Sequence, residues 1–316
     1  QQVALEGTTS APAPVTSGVP QGTVLGPLLF LIFINDMPTK VSSTPRLFAD
    51  DCLLYRQIRS DQDQRLLQQD LDSLQKWEED WLMQFNPDKC EVLRVTNKRA
   101  PLVCDYTIHG QKLQSTDAAK YLGLNIQSNL KWNTHIDSVC KRANSTIAFL
   151  QRNIKRCPTN IKAQCYIQLV RPAAEYASSV WSPPTKAGIN KIEAIQRRAA
   201  RFVMGDYRRT SSVTAMIKNL QWQSLEARRK TAQVTMLYRI ANALVAIPTA
   251  PFLQPSNLRT RGHHLRYMVP PTRTTVYQAS FFPQAIRLWN SLPASVAAAP
   301  TLDDFKSQMS RVTFQR

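Results

Sequence analysis

The chain has 316 residues, 43% of them hydrophobic, enough for a sizeable core and for two or three domains, and its formal net charge is +18. That composition excludes a disordered polyampholyte, and six cysteines without a C-x-x-C pair or a His/Cys cluster exclude a zinc-ribbon or disulfide scaffold. The longest apolar run, Val24 to Ile34, has 11 residues and contains a proline, too short to span a bilayer, so a soluble intracellular protein with no membrane partner is expected, in nucleus and cytoplasm.

The charge is divided unevenly. Residues 1–135 carry 13 Lys/Arg against 15 Asp/Glu, or −2, whereas residues 136–316 carry 27 against 7, or +20. Between Glu226 and Asp303 there are nine Lys/Arg and no acid. A solvated helix face mixes signs, so this excess points to a polyanionic partner, with an anionic membrane surface or plain solubility as the alternatives. The opening "QQVALEG", without methionine, suggests a piece of a longer polypeptide.

Taken in order, a turn-rich entry leads into an apolar helix over Val24–Ile34, expected to be buried and to end near Pro38. "PRLFA" and "CLLYR" then read as two strands flanking Asp50 and Asp51, which places the acidic pair where a hairpin turns. From Asp61 to Phe85, Leu67, Leu71, Leu74, Trp77 and Trp81 recur at helical spacing, with acids and glutamines assigned to the opposite face. "CEVLRVT" alternates like a strand, "YTIHGQKLQ" reads as a hairpin about His109 and Gly110, and "KYLGLNI" as a further strand.

Beyond Asn133 the period becomes helical. One long helix is marked by Ile136, Val139, Ala143, Ile147, Leu150 and Ile154, with others over 159–170, 187–204 and 224–244. After Ile247 the chain reads as irregular and arginine-rich, ending in an apolar segment and a helix opened by a capping box from Thr301 to Asp304. The expected class is α+β: antiparallel sheet and helices over 1–131, a mainly helical domain over 132–247, and a small basic region over 248–316. His263 and His264 are expected at the surface or facing phosphate, and the six tryptophans in packing roles.

Adjacent carboxylates repel unless a cation lies beside them, and two aspartates at a turn can direct oxygens at one Mg²⁺. Aspartate is also an ordinary turn residue, so the dipeptide alone leaves both explanations open. Upstream, "SGVPQGTVLGPLLF" places glycines at 18, 22 and 26 in a loop that lets backbone approach a nucleotide closely.

"GVPQG", "FADD", "FNPDKCEVL" and "KYLGLNI", in that order, resemble the reverse transcriptases of non-LTR retrotransposons, in particular the jockey-like LINE class. The resemblance implies an RNA-directed DNA polymerase using Mg²⁺, an RNA template, a DNA primer and deoxynucleoside triphosphates. It implies that Asp50 and Asp51 are metal ligands and catalytic, that Gly18, Pro20, Gln21 and Gly22 form the loop beside template and nucleotide, and that Lys89 donates a proton to the leaving pyrophosphate. "YLGLNIQSNLKW" resembles the primer-grip hairpin, and pieces such as "IEAIQRRAARFV" the region that follows the polymerase core. The family also needs an aspartate from an upstream strand; Glu6 and Asp36, the acids before Phe48, do not correspond to it. This stretch is therefore expected to be inactive alone. The alternatives are a non-catalytic RNA- or DNA-binding protein, or a structural protein, derived from such an element.

Overall fold

The computed structural model describes residues 2–14, 18, 22–256 and 263–314. The chain divides into two compact units, residues 1–119 and 120–316. The first is mixed α and β, built from strand pairs and two helices; the second is mainly helical.

The first unit begins with a short pair, β1 (Ala4–Leu5) and β2 (Thr8–Thr9), followed by helix α1 (Gly26–Ile34) and a 3₁₀ turn over Met37–Lys40. Strands β3 (Thr44–Phe48) and β4 (Asp51–Tyr55) form an antiparallel hairpin, and helix α2 (Asp61–Trp81) packs behind it. Ser60 and Asp63 close a capping box at the start of α2, and Leu82 ends the helix in the left-handed conformation, three residues before the expected limit. Leu74 and Trp77 of α2 bury against Ile34 and Met37, with Phe33, Leu47 and Leu54 packed around them.

The apolar helix α1 departs from expectation. Ile34 is buried, but Leu25, Leu28, Leu29, Leu31 and Ile32 are 50–66% exposed. A helix that is apolar on every side offers more hydrophobic surface than one neighbouring helix can cover, and here it meets α2 along a single edge.

Strand β5 (Glu91–Leu93) follows a 3₁₀ turn over Pro87–Lys89 and pairs in parallel with β8 (Gln114–Thr116), while β6 (Thr107–Ile108) and β7 (Gln111–Lys112) make the expected hairpin. Both turn residues of that hairpin, His109 and Gly110, have positive φ, 53° and 70°, as a two-residue turn with the right twist demands. Gln68 of α2 bonds both the N–H and the carbonyl of Thr107 at 3.0 Å, and Gln75 accepts from the His109 N–H at 2.9 Å. The His109 imidazole meets the buried Glu78 carboxylate, so α2 grips the hairpin at three points along its length.

At the junction, β9 (Ala118–Tyr121) and β10 (Leu124–Gln127) pair through the two-residue turn Leu122–Gly123. The second unit then runs through α3 (Asn133–Asn153), α4 (Thr159–Cys165), a π-helical turn over Tyr166–Val170, α5 (Arg171–Glu175), α6 (Ser178–Trp181), α7 (Lys186–Met204), α8 (Val213–Asn219) and α9 (Leu225–Ala241). The helix expected over 159–170 thus changes winding midway; Pro172 lies two residues past this turn and supplies no N–H to an α ladder.

One core collects Ile136, Ala143 and Ile147 of α3, Trp181, Ile192, Ala199 and Val203, all 3% exposed or less. Helix α9 opens in that core with Leu225 and continues into a second one through Val234, Leu237, Tyr238 and Ile240. After α10 (Thr275–Gln278), the second core is completed by α11 (Phe281–Asn290), α12 (Ala294–Ala297) and α13 (Leu302–Met309). Thr301 caps α13 through the Asp304 N–H at 3.1 Å, as its spacing foretold.

His263 overturns its expected surface position. It is 5% exposed, its Nε2 lies 2.9 Å from the Trp289 carbonyl, and its ring meets the Trp289 indole edge-on. His264, next to it, is exposed. An imidazole has a wide apolar body, and an indole face is enough to hold it inside. Among the tryptophans, Trp77, Trp181 and Trp289 are 2% exposed or less, and Trp132 and Trp222 pack against the first core of the second unit. Trp81 is 41% exposed yet stands 5.0 Å from the Phe33 ring. No helix among the described residues is long and apolar enough to cross a membrane.

Candidate active site

The β3–β4 hairpin runs in register from Thr44 opposite Tyr55 to Phe48 opposite Asp51, leaving Ala49 and Asp50 as the two turn residues. Alternation sends Leu47 and Leu54 to the α2 side, where they join the core. Arg46, Phe48, Asp51, Leu53 and Tyr55 share the other face, which is exposed. Asp50 stands at the tip and Asp51 is the first residue of β4; both are exposed.

Ala49 holds φ at 51°, a position in a two-residue hairpin turn that glycine normally fills. A left-handed non-glycine residue costs on the order of 1–3 kcal/mol, and such strain concentrates at ligand clamps and active sites. The base of the hairpin is held firmly in compensation. Asp70 of α2, 5% exposed, accepts from the Ser42 and Ser43 N–H groups at 2.7 Å each and from the Ser42 hydroxyl at 3.1 Å. Arg56, just past β4, reaches the same carboxylate at 3.7 Å and the Ser42 and Ser43 hydroxyls at 3.0 and 3.2 Å. Burial alone would raise the Asp70 pKa, but these hydrogen bonds outweigh it and hold the carboxyl below its ordinary value.

Lys89 ends the 3₁₀ turn before β5 and is exposed; its N–H donates to the Asn86 carbonyl at 3.1 Å. Gly18 and Gly22 both adopt left-handed φ, 82° and 83°, with open space where a side chain would stand. Pro20 and Gln21 lie outside the described residues. Among the described residues no group of three His, Cys, Asp or Glu side chains is placed to hold a metal.

Two residues that set this geometry, Asp70 and Glu78, were assigned to the polar face of α2. Their spacing carried a contrary signal: Asp70 lies three residues after Leu67 and seven before Trp77, and Glu78 four after Leu74, all on the apolar stripe.

The hairpin with an exposed Asp-Asp pair at its tip, braced by a helix and followed by a lysine-bearing turn, lies inside a stretch that matches a known protein family. Residues 3–126, which include every candidate site residue, match the family model described as reverse transcriptase (RNA-dependent DNA polymerase). The resemblance to non-LTR retrotransposon polymerases is borne out over a longer stretch. The chain is 27% identical over 230 residues to the RNA-directed DNA polymerase from mobile element jockey of Drosophila melanogaster, covering 68% of this chain and 25% of that protein. It is 30% identical over 210 residues to the probable RNA-directed DNA polymerase from transposon BS of the same fly, covering 61% and 23%. Transposon X-element's probable RNA-directed DNA polymerase, also from Drosophila melanogaster, is 30% identical over 200 residues, covering 60% and 22%. The chain therefore spans about a quarter of the length of the curated relatives it matches. No solved structure matches it.

Proposed function

We propose that this chain supplies part of the polymerase of a non-LTR retrotransposon, and that the whole protein copies an RNA template onto a DNA primer from deoxynucleoside triphosphates. The observation that carries this reading is the exposed Asp50–Asp51 pair at the tip of a strained, braced hairpin inside the reverse transcriptase match. In this reading residues 1–131 are the partial palm, 132–247 the thumb-like domain and 248–316 the basic C-terminal region.

The reverse transcriptase family works with a divalent metal, and the donor set here suits Mg²⁺ in particular, since hard cations take carboxylate oxygen. Asp50 would be the main ligand and Asp51 its neighbour, with a further carboxylate needed to complete the site. Bound there, Mg²⁺ would neutralise charge developing on the transferred phosphoryl group. Gly18, Pro20, Gln21 and Gly22 would support the nascent base pair, the two left-handed glycines keeping side chains out of its way. Lys89 would hold the proton passed to the departing pyrophosphate.

Primer extension tests the proposal. Residues 1–316 alone should yield no extended primer, because two carboxylates leave the metal site incomplete. Adding the natural upstream segment, if the locus encodes one, should give Mg²⁺-dependent synthesis on RNA, and Asp50→Ala should abolish it while leaving RNA binding nearly intact. Synthesis by that variant at the parent's rate would overturn the assignment.

A second reading, a non-catalytic RNA- or DNA-binding protein derived from such an element, is favoured by the +20 of residues 136–316. Nucleic-acid binding by the prolonged protein with no synthesis under any divalent metal would select it.

A further inference from the structure

Helices α3 and α7 run side by side and parallel in the second unit. Asp137 meets Lys191 at one end, the Cys140 thiol reaches the Lys191 carbonyl at 3.7 Å, and Gln151 donates to the Tyr207 hydroxyl at 3.3 Å at the other. Between the helices lies a groove of about 460 Å³ lined by Asn144, Ala148, Gln151, Arg197, Arg198, Arg201 and Tyr207.

Its charge is of one sign. From Asp137 to Glu175 the chain carries seven Lys/Arg and no acid, and from Glu193 to Asp206 three arginines and no acid. Arg197 and Arg198 are exposed and make no hydrogen bond or ion pair among the described residues. Arg201 is committed to the protein instead, its guanidinium donating to the Asp206 and Arg208 carbonyls at 3.4 and 3.0 Å. Asp206, next to Tyr207, is occupied by Arg208 at 3.0 Å and by the Ser211 hydroxyl at 2.6 Å.

Tyr207 is 56% exposed at the groove's end, held by Gln151 through its hydroxyl rather than by burial of its ring. Asn144 brings a buried side-chain oxygen that has no hydrogen-bond partner. That acceptor requires a donor, which a ribose 2′-hydroxyl or a base amine supplies and a phosphate does not.

We infer that the α3–α7 groove binds a single-stranded segment of nucleic acid, with Arg197 and Arg198 on the phosphates, a base stacked on Tyr207 and Asn144 accepting from sugar or base. A basic groove with an exposed aromatic platform is the usual form of such a site, because only an unpaired base offers its face for stacking. This rests on the proposed nucleic-acid role of the chain but not on the Asp50–Asp51 centre, so a failure of either leaves the other standing.

The test is fluorescence anisotropy of residues 1–316 with oligoadenylate and oligodeoxyadenylate of about 12 nucleotides, a length within the usual single-strand site sizes, and with a DNA duplex. Both single strands should bind at least tenfold tighter than the duplex. Tyr207→Ala should weaken single-strand binding about tenfold, whereas Tyr207→Phe, which keeps the ring and loses only the Gln151 tether, should weaken it by less than about threefold. Arg197→Gln with Arg198→Gln should flatten the log affinity against log salt slope by about 1.4, at about 0.7 per phosphate on single strands. An RNA preference lost in Asn144→Ala makes the ribose the donor; equal affinity for the two single strands makes it the base. Duplex binding as tight as single-strand binding, or an unchanged slope in the arginine pair with an unchanged thermal midpoint, would overturn the site. Should Tyr207→Ala fail to fold, Tyr207→Leu keeps the bulk without the π-face and reads the same loss.

Discussion

Trp289→Ala should destabilise the core built by α9 and the C-terminal helices by about 3–5 kcal/mol, the usual cost of deleting a buried large aromatic side chain. Trp289 is 2% exposed, and its ring lies 6.0 Å from Phe305, 6.1 Å from Tyr267 and 6.4 Å from Tyr238. Its indole N–H also donates to the Leu265 carbonyl at 2.7 Å. Truncation would therefore open a cavity, orphan that carbonyl and remove the face against which His263 packs. Trp289→Phe, which keeps an aromatic ring and loses only the N–H and some volume, should cost less than half as much. Urea unfolding followed by circular dichroism measures both; a loss under about 1 kcal/mol for the alanine variant would mean that the site collapses to fill the gap.

Asp70→Ala should cost about 3 kcal/mol, because it leaves two N–H groups, those of Ser42 and Ser43, without their charged acceptor and frees Arg56. The effect carries a definite pH signature. Hydrogen bonding holds the folded Asp70 carboxyl below its unfolded value, so its contribution is complete above about pH 4 and fades as pH falls through the lower folded value. Asp70→Asn, which keeps one acceptor oxygen, should cost less than alanine and remove that acid-side slope. Denaturation midpoints of the three proteins from pH 6 downward would check this, and parallel curves for parent and Asp70→Asn would refute it. In a polymerase-competent form, the same variants should loosen the base of the Asp50–Asp51 hairpin and lower the rate without touching either aspartate.

Sequence reasoning reached the hairpin because period-two alternation on both sides of an acidic pair has few structural solutions, and it reached α3, α7 and α9 because their apolar stripes are long. It missed what depends on partners far along the chain. Asp70 was read as a solvated helix acid although it sits between Leu67 and Leu74 on the buried stripe, since nothing local announces that Ser42 and Ser43 will bring N–H groups to it. His263 was misplaced because an arginine-rich neighbourhood hid a contact made 26 residues later, with Trp289. The Asn144, Arg198 and Tyr207 groove was invisible for the same reason: the residues on its two walls, Asn144 to Gln151 and Arg197 to Tyr207, lie far apart in the chain.

The uncovered side of α1 sets how the isolated protein behaves as a colloid. Its exposed leucines and isoleucine form a sticky strip on a body of +18, so mutual repulsion keeps copies apart in dilute buffer. Added salt shortens the range of that repulsion to about 10 Å at 0.1 M and leaves the apolar attraction in place. Self-association, read by light scattering, should accordingly rise with salt while nucleic-acid binding falls, and charged substitutions at Leu28 and Ile32 should separate the two trends by suppressing the first alone.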